Sequence, residues 1–280
     1  MSKTWLITGV SSGFGYNMTE QLLAKGDTVI GTVRNTTKVQ GLIDTYPDTF
    51  DCMILDVTDT KAIYAVVKEA YTRHSKIDVL INNAGYGLFG AAEELTDEQV
   101  QLILDTNLVG PITMIRAILP YMREAGEGRI IQISSYGGQV AFAGNSMYHA
   151  SKFGIEGFCE SVAQEVAPFG IGVSIIEPGG ARTEFRYSSA HVAQENPAYE
   201  GNPAHAFKAM LDPKNGLAVG DPAKMAQQII ESADITPAPL HLVLGSGALK
   251  STIERLEQRL DEYKQETEYA KFSDIPEENK

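Results

Sequence analysis

The stretch Trp5-Leu6-Ile7-Thr8-Gly9-Val10-Ser11-Ser12-Gly13-Phe14-Gly15 passes from an apolar strand, through a glycine-spaced turn, into a helix. Met18, Leu22 and Leu23 then recur at helical spacing, and Gly26 supplies the stop signal. Gly9, Gly13 and Gly15 follow the pattern G-x-x-x-G-x-G between strand and helix, the setting that a phosphate-binding turn requires. Glycine lets the main chain approach a pyrophosphate, and the helix start offers N–H donors and the positive end of its dipole. With Ser11, Ser12 and Phe14 between its glycines, this turn reads as a dinucleotide cradle.

Downstream, six more apolar runs alternate with helical patterns: Thr28–Val33, Cys52–Leu55, Val79–Ile81, Arg129–Ile133, Val173–Ile176 and His241–Leu244. Continuous apolar strands alternating with helices imply a parallel sheet covered on both faces. The expected architecture is α/β, a single doubly wound, Rossmann-type domain over residues 1–280 with about seven strands. Two regions break the rhythm. Residues 180–220 have no strong period and are expected to be a substrate-binding loop or lid, disordered until it closes. Residues 246–280 are expected to form a helical extension, with Ile253, Leu256 and Leu260 as its apolar stripe, and a frayed tail from Ser273 to Lys280.

The composition excludes several roles. A net charge of -13 over 280 residues argues against nucleic acid and anionic membrane as partners. Cys52 and Cys159 sit in apolar patterns and are expected as free thiols in a reducing compartment, and no Cys/His spacing suggests a metal. The N-terminus runs directly into a strand, and no uninterrupted apolar stretch approaches the length of a membrane span; the expectation is a cytoplasmic protein.

Further cofactor contacts are expected where strands end. The second strand closes on Arg34, with no acid to meet a ribose 2′-hydroxyl; its planar guanidinium suits a 2′-phosphate, so NADP(H) is favoured and NAD(H) is possible. Asp56 and Val57 follow the third strand and are placed against the adenine, with helix capping by nearby Thr58 as the alternative. Asn82-Asn83-Ala84-Gly85 ends the fourth; Asn83, Ala84 and Gly85 give small residues and bracing amides beside a ligand.

Tyr148 and Lys152 stand four residues apart where a helix begins, so they share one face. Bringing a phenol from about 10 to neutrality takes about 4 kcal/mol. One ammonium at ~5 Å supplies about 3 kcal/mol at an effective dielectric constant of ~20. Lys152 is therefore expected to provide most of that shift and an oxidised nicotinamide the rest. Ser135 ends the fifth strand, 13 residues earlier, where its hydroxyl can meet a substrate oxygen. Within the helical pattern Gln99–Ile118, Pro111 has no N–H to offer the carbonyl of Asn107, which is expected to be left free for a water.

These motifs together resemble the short-chain dehydrogenase/reductase family: Thr8-Gly-x-x-x-Gly13-x-Gly15, Asn82-Asn83-Ala84-Gly85, Asn107, Ser135, Tyr148-x-x-x-Lys152 and Pro178-Gly179, over residues 1 to about 245. The resemblance implies that Tyr148 is the general acid/base, that Ser135 steadies the substrate oxygen and that Lys152 holds the nicotinamide ribose. It implies that Asn107 anchors a relay water through its carbonyl, and that Pro178, Gly179 and Thr183 flank the carboxamide. Tyr16 stands where some NADP-preferring relatives carry arginine. The stretch Tyr148–Phe185 looks most like the hydroxysteroid and retinol dehydrogenase branch. Hydride transfer to a ketone or aldehyde, or from a secondary alcohol, is the expected activity. A silent cofactor-binding sensor or scaffold, or a reductase of carrier-linked or sugar substrates, is the alternative. Tyr86, Tyr136, Phe142 and Phe185 are the expected pocket for an apolar medium-to-large small molecule, with Phe89, Met147, Tyr187, Tyr199, Phe207 and Met210 as further candidates. Relatives often pair through the helices holding Asn107 and Tyr148, implying a homodimer or homotetramer.

Overall fold

The computed structural model describes residues 2–187, 189–206, 211–212, 214 and 217–275. Its strands are β1 (Thr4–Thr8), β2 (Thr28–Val33), β3 (Phe50–Ile54), β4 (Val79–Asn82), β5 (Leu88–Phe89), β6 (Gly128–Ile133), β7 (Ile171–Pro178), β8 (His191–Val192) and β9 (His241–Leu244). Seven of them form one parallel sheet in the order β3-β2-β1-β4-β6-β7-β9. All seven apolar runs read from the sequence are strands of this sheet.

The helices are α1 (Gly13–Lys25), α2 (Gln40–Thr45), α3 (Thr60–His74), α4 (Asp97–Leu104), α5 (Gly110–Ala125), α6 (Ser146–Val166), α7 (Glu184–Tyr187), α8 (Pro203–Ala206), α9 (Pro222–Ser232), α10 (Ser246–Gln265) and α11 (Thr267–Lys271). Strand side chains alternate between two cores. Leu6, Ile30, Leu80 and Ile130 face residues of α3, α5 and α6, whereas Trp5, Ile7, Val29, Ile81 and Ile131 face residues of α1 and α9. Chain order reverses between β1 and β4, so their carboxyl ends open a crevice there, the ligand position in doubly wound sheets.

Three departures from the sequence reading have physical causes. The helical run from Asp97 to Ala125 is not a regular helix up to Pro111. It widens into a π-turn over Asp105–Val109, where the Gly110 N–H donates to the Asp105 carbonyl, and Pro111 falls in the first turn of α5, where a missing N–H is tolerated. That 29-residue run is also long and apolar enough to cross a membrane, against the expectation of no such stretch, but half of it is buried and Met114, Ile115 and Ile118 lie in the core beside α3 and α6. Third, part of the segment 180–220 is ordered. β8 pairs with β5, which the sequence reading missed because each contributes only two residues.

Ile253, Leu256 and Leu260 of α10 are exposed, not packed. Tyr187's side chain, Phe207, Met210 and the tail beyond Ile275 lie outside the described residues. Cys52 and Cys159 are free thiols.

Candidate active site

The crevice is a cavity of about 910 Å³. Of the catalytic and cofactor residues read from the sequence, Gly15 and Asn107 do not reach its wall, while the others line it, as do Tyr86, Tyr136, Phe142 and Phe185.

The cradle explains its glycines differently at each position. Gly9 has φ +73°, and a Cβ there would lie 3.0 Å from the Ala84 main chain. A Cβ on Gly15 would sit 2.3 Å from the Gly9 carbonyl oxygen and 2.5 Å from the Asn83 amide nitrogen. The third glycine is therefore required by the protein's own packing. Asn83 donates through Nδ2 to the carbonyls of Thr8 and Gly9, at 2.9 and 3.0 Å, and Thr8 Oγ1 accepts from the Asn83 and Ala84 main chains, each at 3.0 Å. The Asn83 side chain is thus a brace. Ser12 precedes α1 without capping it through its side chain. The first turn of that helix keeps its N–H donors toward the cavity, a fit for a diphosphate.

Arg34 lies on the same wall, joined by Thr37 and Lys38, which the sequence reading did not single out. Asp56 accepts from the Thr58 main chain and hydroxyl, at 3.0 and 2.8 Å. Its carboxyl is held below the usual range by the Thr58 N–H first, with help from the Thr58 hydroxyl and nearby Arg34. Capping of α3 belongs to Asp59, which accepts from Lys61 and Ala62, not to Thr58.

Asn107 is 1% exposed. Its side-chain amide accepts from the Tyr86 N–H and donates to the Tyr86 carbonyl, and also reaches the Ser151 hydroxyl at 3.3 Å. Asn82 reaches the Pro111 carbonyl at 3.2 Å, tying the widened turn to β4.

Ser135 Oγ accepts from the Gly137 N–H at 3.0 Å. Burial pushes Tyr148 up to about 12, and the nearby Ser135 hydroxyl only partly opposes it. Lys152 lies 5.7 Å from the Tyr148 ring centroid and donates to the Ile133 carbonyl at 3.0 Å. Burial lowers Lys152 to about 8. The same burial that would strengthen the lysine's field also weakens its hold on its own charge. The chain's own groups leave Tyr148 a weak acid.

Behind this pair stands Glu156, 2% exposed, one turn beyond Lys152 on α6. It accepts from Ser134 Oγ and from Gln139 Nε2 at 2.6 Å, and burial raises it to about 7. A Cβ on Gly138 would lie 1.9 Å from its carboxylate. His149 is also buried. It accepts at Nε2 from the Phe142 N–H at 3.0 Å, so Nδ1 carries the proton and donates to the Gly137 carbonyl at 2.7 Å. Burial lowers its pKa and keeps it neutral at this junction. These two side chains fix the loop between Ser135 and Tyr148. Nothing in their local sequence marked them, because their partners come from that loop and from β6.

At the substrate end, Phe185 lies 5.9 Å from Tyr148 and Tyr136 lies 5.6 Å from Phe142, ring to ring. Phe89, His191 and Leu211 also line the wall. Met147 and Tyr199 do not; Tyr199 bonds Glu93 at 2.9 Å. Glu94 anchors the ordered part of the variable segment, accepting from the main chains of Ala91 and Asn196, each at 2.7 Å, and pairing with His205 at 2.5 Å. Residues 189–206 thus hold a short strand and anchoring contacts of their own.

Residues 3–193 match the sequence profile of the short chain dehydrogenases. An oxidoreductase of Botryotinia fuckeliana is 35% identical over 251 residues, covering 89% of this chain and 91% of its own. The 17-beta-hydroxysteroid dehydrogenase type 1 of Homo sapiens is 38% identical over 190 residues, 64% of this chain and 57% of that protein. The crystal structure of a short-chain dehydrogenase from Streptomyces avermitilis superposes with a TM-score of 0.91 at 40% identity, covering 98% of both chains.

Proposed function

Because this chain belongs to the short-chain dehydrogenase family, we propose that it transfers hydride between NADP(H) and a ketone, aldehyde or secondary alcohol with an apolar, medium-to-large body. One observation carries the proposal: the side chains of Ser135 and Tyr148 share a cavity with the cradle and with Arg34.

The nicotinamide, when bound, supplies or accepts the hydride at the substrate carbon. The remaining work falls to the chain. Ser135 and Tyr148 hydrogen-bond the substrate oxygen and fix its position. Tyr148 gives its phenolic proton to that oxygen in reduction and takes it back in oxidation. Lys152 holds a ribose hydroxyl and places positive charge beside the phenol. Pro178, Gly179 and Thr183 form the edge against which the carboxamide lies. Arg34 and Lys38 support the choice of NADP(H), since a dianionic phosphate is met by two cations. Phe142 and Phe185 favour an apolar substrate body. The proposed assembly is a homodimer or homotetramer, which sedimentation would check.

The test is a panel of aliphatic, aromatic and steroidal ketones, followed by absorbance with NADPH and with NADH. Turnover with kcat/KM at least about tenfold higher for NADPH is expected from a gain of roughly 1.4 kcal/mol in one charge-assisted contact. A clear NADH preference overturns the cofactor choice, and no turnover of any carbonyl overturns the activity.

A further inference from the structure

Helix α10 carries an apolar stripe that lies open to solvent. Leu249, Ile253, Leu256, Leu260 and Tyr263 are between 43% and 63% exposed. Their spacings are four, three, four and three residues, a strict heptad seam rather than the wider face by which a helix packs on a globular core. The helix is anchored by a different side. Ala248 and Thr252 are buried, and Arg259 donates to the Gln139 carbonyl at 3.3 Å and lies 5.8 Å from the Phe153 ring. Ala248, Thr252 and Arg259 share one side of the helix. α10 is thus held against its own domain with the seam left free.

A heptad seam fits another helix, whose side chains enter the spaces between its own. The charges beside it say which helix. With Ile253 and Leu260 at the a positions and Leu249, Leu256 and Tyr263 at d, the e positions are Lys250, Glu257 and Lys264 on the open flank. In an antiparallel pair of α10 helices centred between Glu254 and Arg255, Leu249 meets the partner's Leu260 and Ile253 meets the partner's Leu256. Lys250 then stands beside the partner's Glu257, twice by symmetry. Sliding this pair by one heptad toward the C-terminus sets Glu257 against itself and Lys250 against the partner's Lys264. A parallel pair sets Arg259 beside the partner's Lys264. Apolar fit and charge therefore select the same arrangement. The helix also balances its charges, four basic and four acidic residues, in a chain of net charge -13, so two copies meet here without the repulsion carried elsewhere.

We propose that α10 is a self-association surface, on which two copies of this chain pair antiparallel through Leu249, Ile253, Leu256 and Leu260, with Lys250 facing the partner's Glu257. Such a contact uses the same patch on both copies and closes on itself about a two-fold axis. It differs from the helices holding Asn107 and Tyr148, through which relatives pair, and the two contacts together join dimers into a homotetramer. The pairing stands whether or not the oxidoreductase reading does, because the seam contributes no group to the cavity.

Sedimentation equilibrium of the full chain tests the surface. The double variant Leu256→Glu, Leu260→Glu places charge in the seam at exposed positions, and an unchanged circular dichroism spectrum reports that it folds. It is expected to lose one association step, tetramer to dimer or dimer to monomer, with the association weakened at least about tenfold. Lys250→Glu and Glu257→Lys each turn both cross-pairs into like charges and are expected to weaken that step by about threefold or more. Carrying the two exchanges together restores opposite charges, and the association is expected to recover. An association step indifferent to the seam charges overturns the surface, and single reversals that weaken it without recovery in the double exchange overturn the antiparallel pairing. A monomeric wild type overturns it as well; its co-sedimentation with phosphatidylglycerol vesicles would assign the stripe to a lipid surface instead.

Discussion

Asn107 grips the main chain of Tyr86 with both ends of its side-chain amide, accepting at 3.1 Å and donating at 2.9 Å. The residue read from the sequence for its carbonyl thus has a second task in its side chain. It locks the turn after Gly85 and so sets where the Tyr86 ring stands in the cavity. Asn107→Leu would leave the Tyr86 N–H and C=O without these partners, at about 1–3 kcal/mol each. We expect a lower melting temperature and a raised KM for the carbonyl substrate. An unchanged KM would show that the grip does not shape the pocket.

Tyr148→Phe removes the proton donor while keeping the ring. Loss of one general acid costs roughly 10²–10⁴ in kcat. Cofactor affinity, read by NADPH fluorescence, should stay within about twofold, since the phenol oxygen is a small part of that contact. Full activity in this variant would remove Tyr148 from the chemistry.

Arg34→Ala separates the two cofactors. One charge-assisted contact of about 1.5–3 kcal/mol corresponds to a loss of roughly 10–100-fold in kcat/KM with NADPH. The NADH value should move far less. Equal losses would mean that Arg34 acts through the local fold, for instance through its neighbour Asp56.

Glu156 gives stability a pH dependence of definite sign. Burial, the larger cause, and the charge of Glu177 raise its folded pKa to about 7 from 4.5. A raised pKa means that the folded state holds the proton more tightly. That stabilisation is complete below about 4.5 and is lost as pH rises through 7. Wild-type melting temperature should therefore fall across that window relative to Glu156→Gln, which carries no titrating proton there. Parallel profiles for the two proteins would show that Glu156 does not titrate in this range.

Glu94 works in the opposite direction. The Asn196 N–H first, then His205, hold its carboxyl down at about 2, below the ordinary 4.5. Its contribution is present above 4.5 and lost as pH falls toward 2. At neutral pH, Glu94→Gln should speed proteolysis within residues 189–206. Unchanged cleavage would show that β5 and β8 suffice to hold the segment.

Much of this was legible in the sequence, for reasons that differ by element. The five inner strands of the main sheet are buried on both faces, and even the half-buried edge strands β3 and β9 keep mostly apolar runs. The cradle and the Tyr148–Lys152 pair are local patterns, in which spacing alone carries meaning. Glu156 and His149 were not legible, because their significance lies in partners supplied by distant segments. The depth of burial around Tyr148 was out of reach for a related reason. Spacing placed a cation near a phenol, but could not show that both would be buried enough to resist charge. The segment 180–220 looked shapeless because its anchors, Glu94 and β5, lie elsewhere in the chain.

The cavity edge at Pro178 and Gly179 is registered from outside. Gly179 donates to the Leu244 carbonyl at 2.8 Å, and β7 pairs with β9 from Ile175 to Pro178. During synthesis, a ribosome delivers the cradle, the tyrosine and the lysine well before residue 244. A nascent chain halted after β7 would carry every reacting group, yet would lack the strand that holds Pro178 and Gly179 in line. The alignment of that edge thus depends on a strand made near the end of the chain.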